Sequence, residues 1–425
     1  MRAAVTTCDV VIVGAGPGGS ATAARLAEAG RHVILLDKDA FPRDKVCGDG
    51  LTPRVVQELL DLGLTDEAKG VTDGWATQKG LRIHGGHTVM ELPWPELDSW
   101  PNWGATCTRM IFDETIAQLA VRRGAQLWQE HLVTEPVWHD ESQSRVAGVR
   151  WRDVSAEGDG REGIILAPVV VAADGASGAF ARHLGLHRRK DRPMAVAVRT
   201  YYESERADDN WISSFLDLKD DSGDLLSGYG WVFPLDDGTI NVGLGLLNTS
   251  KDFQQVNYRK LMEAWSRGMA PEWGTTAEAQ RGKIRSGPIP MGFNRTPLHH
   301  KGVLLVGDAG GFVNPFNGEG ISYAMEAGKL AADVIDRSIT AQSTSVLDAY
   351  DVELRQRWGG YYTLGKVFAQ VVGDPRVMKV CTEYGMPIRP LMELVLKLMA
   401  HLTDEPGSDV KDHTINWLQR LAPVA

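Results

Sequence analysis

The sequence predicts an α/β chain in which a doubly wound domain is interrupted by an inserted antiparallel β-sheet domain and followed by a helical C-terminal region. Three observations predict it. A strand, a glycine-rich turn and a helix open the chain. Short β-like runs separated by Asp/Gly turns occupy about 192–287. A strand at 302–306 and a helix at about 318–337 then restore the α/β pattern.

Residues 9–13 read as a buried strand, 14–19 as a tight glycine turn, 20–29 as a helix and 32–37 as a second strand, which makes one βαβ unit. Helical spacing at Ile111, Ile116, Leu119 and Ala120 brings 109–124 back to the same domain. The apolar run 164–173 reads as one further strand, ending at Ala173-Asp174-Gly175. Within the insertion, 194–202, 229–234 and 239–246 read as strands, and the chain beyond about 347 as mostly helical. The expected division is a discontinuous dinucleotide domain at 1–75, 105–190 and 288–345, a β domain at 76–104 and 191–287, and helices over 346–425.

At 425 residues the chain exceeds one simple core and is long enough to bury a whole dinucleotide. Its hydrophobic fraction of 43% and charged fraction of 24% are those of a globular protein rather than a disordered one. A net charge of −10 without a dense Lys/Arg block argues against nucleic acid. Cys8, Cys47, Cys107 and Cys381 lack paired spacing, so neither a disulfide framework nor a zinc site is expected, and no metal ligand set is read. With no signal peptide and no apolar run of bilayer length, a cytoplasmic protein is expected, with peripheral contact on the inner face of the cell membrane left open.

Gly14-Ala15-Gly16-Pro17-Gly18-Gly19 places Gly-x-Gly-x-x-Gly between strand and helix, where backbone can approach a pyrophosphate at a helix N-terminus. The candidates for that contact are Gly14, Gly16 and Gly19. Asp37 closes the second strand, where a carboxylate can accept from ribose hydroxyls. This unit alone does not separate NAD from FAD. The strand ending in Gly307-Asp308-Ala309, followed by Asn314-Pro315-Phe316-Asn317-Gly318-Glu319-Gly320-Ile321, resembles the FAD-containing p-hydroxybenzoate-hydroxylase-like superfamily, as does Ala173-Asp174-Gly175. The resemblance implies FAD, a ribityl contact from Asp308, an Asp-Gly element at Asp174, and a loop with Gly318, Gly320 and Ile321 facing the flavin.

A closer resemblance, to the geranylgeranyl reductase family of FAD-dependent oxidoreductases and its actinobacterial branch that saturates the isoprenoid side chain of a quinone, rests on three segments. They are Phe41-Pro42-Arg43-Asp44-Lys45-Val46-Cys47-Gly48-Asp49-Gly50-Leu51-Thr52-Pro53-Arg54, then Gly228-Tyr229-Gly230-Trp231-Val232-Phe233-Pro234, then the Gly307-to-Ile321 block. It implies an FAD-binding Rossmann-like domain of the p-hydroxybenzoate hydroxylase type, an inserted antiparallel substrate sheet, and saturation of carbon–carbon double bonds in a polyprenyl chain such as that of menaquinone or a geranylgeranyl lipid. Tyr229, Trp231 and Phe233 are then expected at the lipid cavity. Cys47, Asp49 and Tyr229 are the expected proton sources or positioning groups, and Arg43, Lys45, Cys47, Gly48 and Arg109 the further cofactor contacts.

Each of these has a plainer reading. Cys47 is equally a small buried residue beside glycines, and solvated loop charges are the alternative for the basic residues, among which Arg43 and Arg109 rank above Lys45 as cofactor contacts. The tryptophan run 94–103 and the apolar segment 386–400 read first as core packing, and second as a lipid tunnel or a membrane face. A flavin-dependent aromatic hydroxylase and a non-catalytic lipid-binding flavoprotein are the alternative functions. A halogenase is disfavoured, because its Trp-x-Trp-x-Ile-Pro signature is replaced here by Tyr229 to Pro234. The electron donor, NAD(P)H or another reductant, is not assigned, since no second glycine-rich unit follows.

Overall fold

The computed structural model describes residues 4–64, 74–158, 160–219, 223–250, 253, 255–404 and 409–424. Its central sheet has six strands in the order His299–His300, Val303–Leu305, Val169–Ala172, Val10–Val13, Val33–Leu36 and Gln126–Trp128, all parallel except the first. The inner strands are apolar and fully buried, as a sheet covered on both faces requires. The helices Pro17–Glu28, Arg109–Arg122 and Ile321–Thr340 share one core with one face. A four-stranded sheet, Ala4–Thr7, Glu162–Leu166, Val146–Asp153 and His131–Trp138, shares a second core with the other.

Pro17 starts the first helix, so Gly18 and Gly19 lie in its first turn rather than in a loop before it. Gly18 has a packing reason: a Cβ there would stand 2.6 Å from Val306 Cγ1 and 2.9 Å from the carbonyl oxygen of Ala324, where the helix Ile321–Thr340 crosses.

The run 164–173 is two strands rather than one. Glu162–Leu166 belongs to the four-stranded sheet and Val169–Ala172 to the central one. Pro168, between them, has no amide to donate to a ladder, and hydropathy alone does not register such a change of sheet.

The insertion forms a seven-stranded sheet: Gln280–Pro290, Met194–Glu203, Thr239–Leu247, Gly228–Pro234, Trp211–Phe215, Gly80–Gly85 and Thr88–Pro93. It is antiparallel except where Trp211–Phe215 runs parallel to Gly80–Gly85. A sixteen-residue helix, Tyr258–Trp273, covers part of this sheet and was not anticipated between the β-like runs. Gly50–Leu51, Gly104–Thr106 and Ala76–Gln78 pair in a small separate sheet.

The C-terminal part is helical, with long helices at Ala349–Val371, Arg389–Ala400 and Val410–Leu421. Met386, Met392, Leu396 and Ala400 bury one stripe against the seven-stranded sheet, so the segment 386–400 packs as core. Trp94 and Trp103 are buried as well, and Trp100 lies under the Arg54 guanidinium at 4.6 Å.

Candidate functional site

Four loops leave the C-terminal ends of adjacent parallel strands and meet: Gly14 after Val10–Val13, Asp37 after Val33–Leu36, Ala173-Asp174 after Val169–Ala172, and Gly307-Asp308 after Val303–Leu305. This is the crevice where doubly wound sheets bind nucleotides. Gly14 has φ +102° and touches Ala173, and a Cβ on Gly19 would collide with the Gly14 carbonyl oxygen. Gly16 differs. Its backbone is ordinary, at φ −77°, and the nearest atom to an added Cβ is Arg43 Nη2 at 4.0 Å. Two glycines are therefore required by the chain itself, while the third leaves open space beneath a cation.

Asp37 Oδ2 accepts from the Ala15 amide at 2.9 Å and from Arg43 Nη2 at 3.1 Å. Arg43 Nη1 donates to Asp113 Oδ2 at 2.9 Å, and Arg109 holds Asp113 with two bonds at 2.6 and 2.7 Å. The alternating chain Asp37, Arg43, Asp113, Arg109 thus runs from the glycine turn toward Cys47. Asp113 was missed in the sequence, although its i, i+4 spacing from Arg109 on a helix was a readable signal. Lys45 Nζ reaches Asp308 Oδ2 at 3.9 Å. Asp174 Oδ2 accepts from the Phe180 amide at 2.9 Å, while its Oδ1 is buried without a protein partner.

These residues fit an FAD. The open face at Gly16 under Arg43 suits a pyrophosphate, and the buried, unpartnered Asp174 Oδ1 calls for a donor from a ligand. Gly318, with φ +81°, and Gly320 precede the helix Ile321–Thr340, whose N-terminal amides favour negative charge. The helix starts at Ile321, so both glycines belong to the loop before it.

Cys47, Gly48 and Asp49 form a turn pressed onto the seven-stranded sheet. A Cβ on Gly48 would lie 2.8 Å from the Phe233 ring and 3.3 Å from Trp231 Nε1, which is why both the turn and the ladder are built as they are. Tyr229, Trp231 and Phe233 project to one face of their strand, with ring centroids 6.0 and 6.2 Å apart. Phe233 also joins an apolar cluster with Ile212, Met386, Met392 and Leu396. The Tyr229 hydroxyl donates to the Asn317 carbonyl at 2.8 Å, tying the sheet to the loop at Gly318, and burial pushes that phenol up to about 12.

Asp49 is fully buried and adopts a left-handed conformation at φ +65°. Its Oδ2 accepts from Tyr201 at 2.8 Å and from Asn241 Nδ2 at 2.7 Å, and its Oδ1 from the Arg109 amide at 3.3 Å. Desolvation pushes its carboxyl up to about 6, against these donors and the Arg199 and Arg109 charges. Asn241 also donates to the Cys47 carbonyl at 2.9 Å and accepts from Trp231 Nε1 at 2.9 Å. Burial raises the Cys47 thiol, so sulfur stays protonated at neutral pH. Asn241 and Tyr201 escaped the sequence reading; a buried Asn inside the apolar strand Thr239–Leu247 was the available signal.

Of the residues read from sequence, Gly14, Gly16, Gly19, Asp37, Arg43, Lys45, Asp174 and Asp308 gather at the crevice. Cys47, Gly48, Asp49, Arg109, Tyr229, Trp231 and Phe233 gather where the crevice meets the seven-stranded sheet; Gly318 lies beside Tyr229 and Gly320 beside Asp308, with Ile321 next at the helix start.

Residues 7–359 match the family model described as FAD binding domain. The chain is 35% identical over 415 residues to menaquinone reductase of Mycobacterium tuberculosis, covering 98% of this chain and 94% of that protein. It is 31% identical to digeranylgeranylglycerophospholipid reductase of Methanocella arvoryzae over 83% of each. A geranylgeranyl bacteriochlorophyll reductase-like protein of Thermoplasma acidophilum shares the fold with a TM-score of 0.76 at 21% identity, over 98% of this chain and 100% of that one. The chain belongs to the geranylgeranyl reductase family, FAD-dependent oxidoreductases that act on carbon–carbon double bonds.

Proposed function

We propose that this protein saturates one or more isolated double bonds in a polyprenyl chain, that of menaquinone in particular. The observation that carries the reading is the ladder of Tyr229, Trp231 and Phe233 packed on the Cys47-to-Asp49 turn, which joins an apolar surface to a buried acid at the edge of the FAD crevice. The near full-length likeness to menaquinone reductases supports the choice of lipid.

Gly14, Gly16, Gly19 and Arg43 would hold the pyrophosphate of an FAD, Asp37 a ribose, and Asp174, Asp308 and the loop at Gly318 to Ile321 the rest of the cofactor. FAD bound there would supply, in its reduced form, the hydride. An isolated alkene has no polar handle, so shape and burial against Trp231 and Phe233 orient it. Asp49, whose raised carboxyl is protonated over much of the range below neutrality, gives the proton to the second alkene carbon. Asn241 holds Asp49, the Cys47 carbonyl and Trp231 in one arrangement, so the acid and the substrate wall keep register. Cys47 stands beside this acid as a neutral thiol. The electrons of a bound FAD would come from NAD(P)H or another reductant.

For location we propose peripheral contact with the inner face of the membrane. Met378, Thr382 and Met386 bury one ridge of 375–388, and Val380, Tyr384 and Ile388 expose the opposite one, each more than half accessible. Among the described residues, no helix is long and apolar enough to cross a bilayer.

Mass spectrometry of lipids from cells with and without the protein tests this reading. Menaquinones gaining two hydrogens only when the protein is present are expected. A shift confined to geranylgeranyl lipids would move the substrate, and no shift in either would refute polyprenyl reduction. Trp231→Ala and Phe233→Ala should lose lipid turnover while keeping flavin.

A further inference from the structure

A fully buried acid that gives up a proton in every cycle needs a route for the next one. We propose that Tyr201 is that route: its hydroxyl returns a proton from the solvent side to Asp49 after each reduction, without touching the alkene. This rests on the assignment of Asp49 as the acid.

Three groups donate to the Asp49 carboxyl: the Arg109 amide, the Asn241 side-chain amide and the Tyr201 hydroxyl. The two amides do not relay protons. Asn241 is completely buried and is engaged by Cys47 and Trp231 as well. Tyr201 alone is a hydroxyl, donor and acceptor at one atom, and it is half-buried where Asp49 is wholly enclosed. In the step, the Tyr201 O–H bond breaks as its proton moves to Asp49 Oδ2, and a proton from water bonds to the same phenolic oxygen. No charge stays on the tyrosine, in keeping with burial, which raises its phenol far above the ordinary value.

The surroundings favour such a dedicated route. Asp49 is faced by Arg109, with Asp113 as its partner, by Arg199 and Tyr201 on Met194–Glu203, by Asn241 on Thr239–Leu247, and by Cys47 and Cys107. The two arginines stabilise the carboxylate left after proton donation, so reloading is held back rather than helped. The Tyr201 ring lies under the Arg199 guanidinium at 4.4 Å. Arg199 pairs with Asp44 and donates to the Lys45 carbonyl at 3.2 Å, and Arg285 holds Asp44 at 3.1 Å. The phenol is thereby fixed against Asp49.

Tyr201→Phe removes the hydroxyl and keeps the ring. Below about pH 6, where Asp49 starts protonated, the first turnover of prereduced enzyme should match the parent. Steady-state turnover should fall by about 10-fold or more, with KM unchanged, and small carboxylic acid buffers should restore it. A second readout needs no turnover. After a pH jump from above to below the Asp49 pKa, the infrared band of the protonated carboxyl, identified by its loss in Asp49→Asn, should appear about 10-fold more slowly in Tyr201→Phe. In the parent it should slow measurably in D2O. Equal losses in first and later turnovers, or proton uptake as fast as the parent's, would overturn the relay and leave Asp49 as the acid. Parent-like turnover by Asp49→Asn would remove the acid itself, and the relay with it.

Discussion

The glycine turn and the Cys47-to-Asp49 turn lie at the same crevice but are held by different means. The glycine turn is shaped by backbone: Gly14 and Gly19 touch each other and Ala173 so closely that no side chain fits. The Cys47-to-Asp49 turn is held by side chains from distant strands, Asn241, Tyr201, Trp231 and Phe233. A cradle made of backbone is strict about size and indifferent to polarity. A turn held by a buried polar network is strict about hydrogen bonds, and its failures should appear in pH behaviour and turnover before they appear in cofactor content.

Substitutions in the cradle should separate chain from ligand. Gly19→Ala drives a Cβ into the Gly14 carbonyl, and a loss of roughly 5 kcal/mol, enough to remove most folded protein, is expected by chemical denaturation. Gly16→Ala has room in the protein, so its stability should stay within about 0.5 kcal/mol of the parent while flavin occupancy falls; Gly16→Val should lower it further. Full flavin occupancy in Gly16→Ala would show that the open face is not the pyrophosphate site.

In the second turn, Asn241→Leu strands Asp49, the Cys47 carbonyl and Trp231 Nε1 together. A destabilisation of roughly 4 kcal/mol is expected from denaturant titration, with flavin retained and turnover lost.

The Asp49 carboxyl rises from 3.8 unfolded to about 6 folded, so the folded chain binds the extra proton between those values. Its contribution to stability is complete below the lower value and declines as pH climbs through about 6, by about 3 kcal/mol in all. Glu58, pushed up to about 7, has the same sign in a higher window, so the decisive quantity is the parent curve minus that of Asp49→Asn. A difference curve that is flat over this range would place Asp49 outside the buried network. Turnover should decline over the same range as Asp49 loses its proton.

The smallest effect is expected for Cys47→Ser, with flavin content unchanged and turnover lowered by less than about 10-fold, because a protonated thiol and a hydroxyl share the same place beside Asp49. Unchanged turnover would assign Cys47 to packing.

What was legible in the sequence follows the same contrast. The glycine turn, Asp37, Asp174 and Asp308 were readable because each is a short local pattern at the end of an apolar strand. Tyr229, Trp231 and Phe233 were readable as a spaced motif. Asn241 left only the trace of one polar residue in an apolar strand and Tyr201 left none, since their roles exist only once three strands stand side by side. The run 164–173 misled for a related reason: hydropathy marks burial but not the sheet to which a buried strand belongs. The helix Tyr258–Trp273 was obscured by Gly268 and Pro271 within it and by the β-rich stretches on either side.

Anaerobic incubation of the prereduced, flavin-loaded protein with menaquinone, read by mass spectrometry of the quinone and absorbance of the flavin, decides between alkene reduction and oxygen-dependent chemistry. A gain of two hydrogens in the prenyl chain as the flavin is reoxidised, with no requirement for oxygen, is expected. Flavin that stays reduced until oxygen is admitted, with an oxygen atom then appearing in an aromatic product, would contradict it.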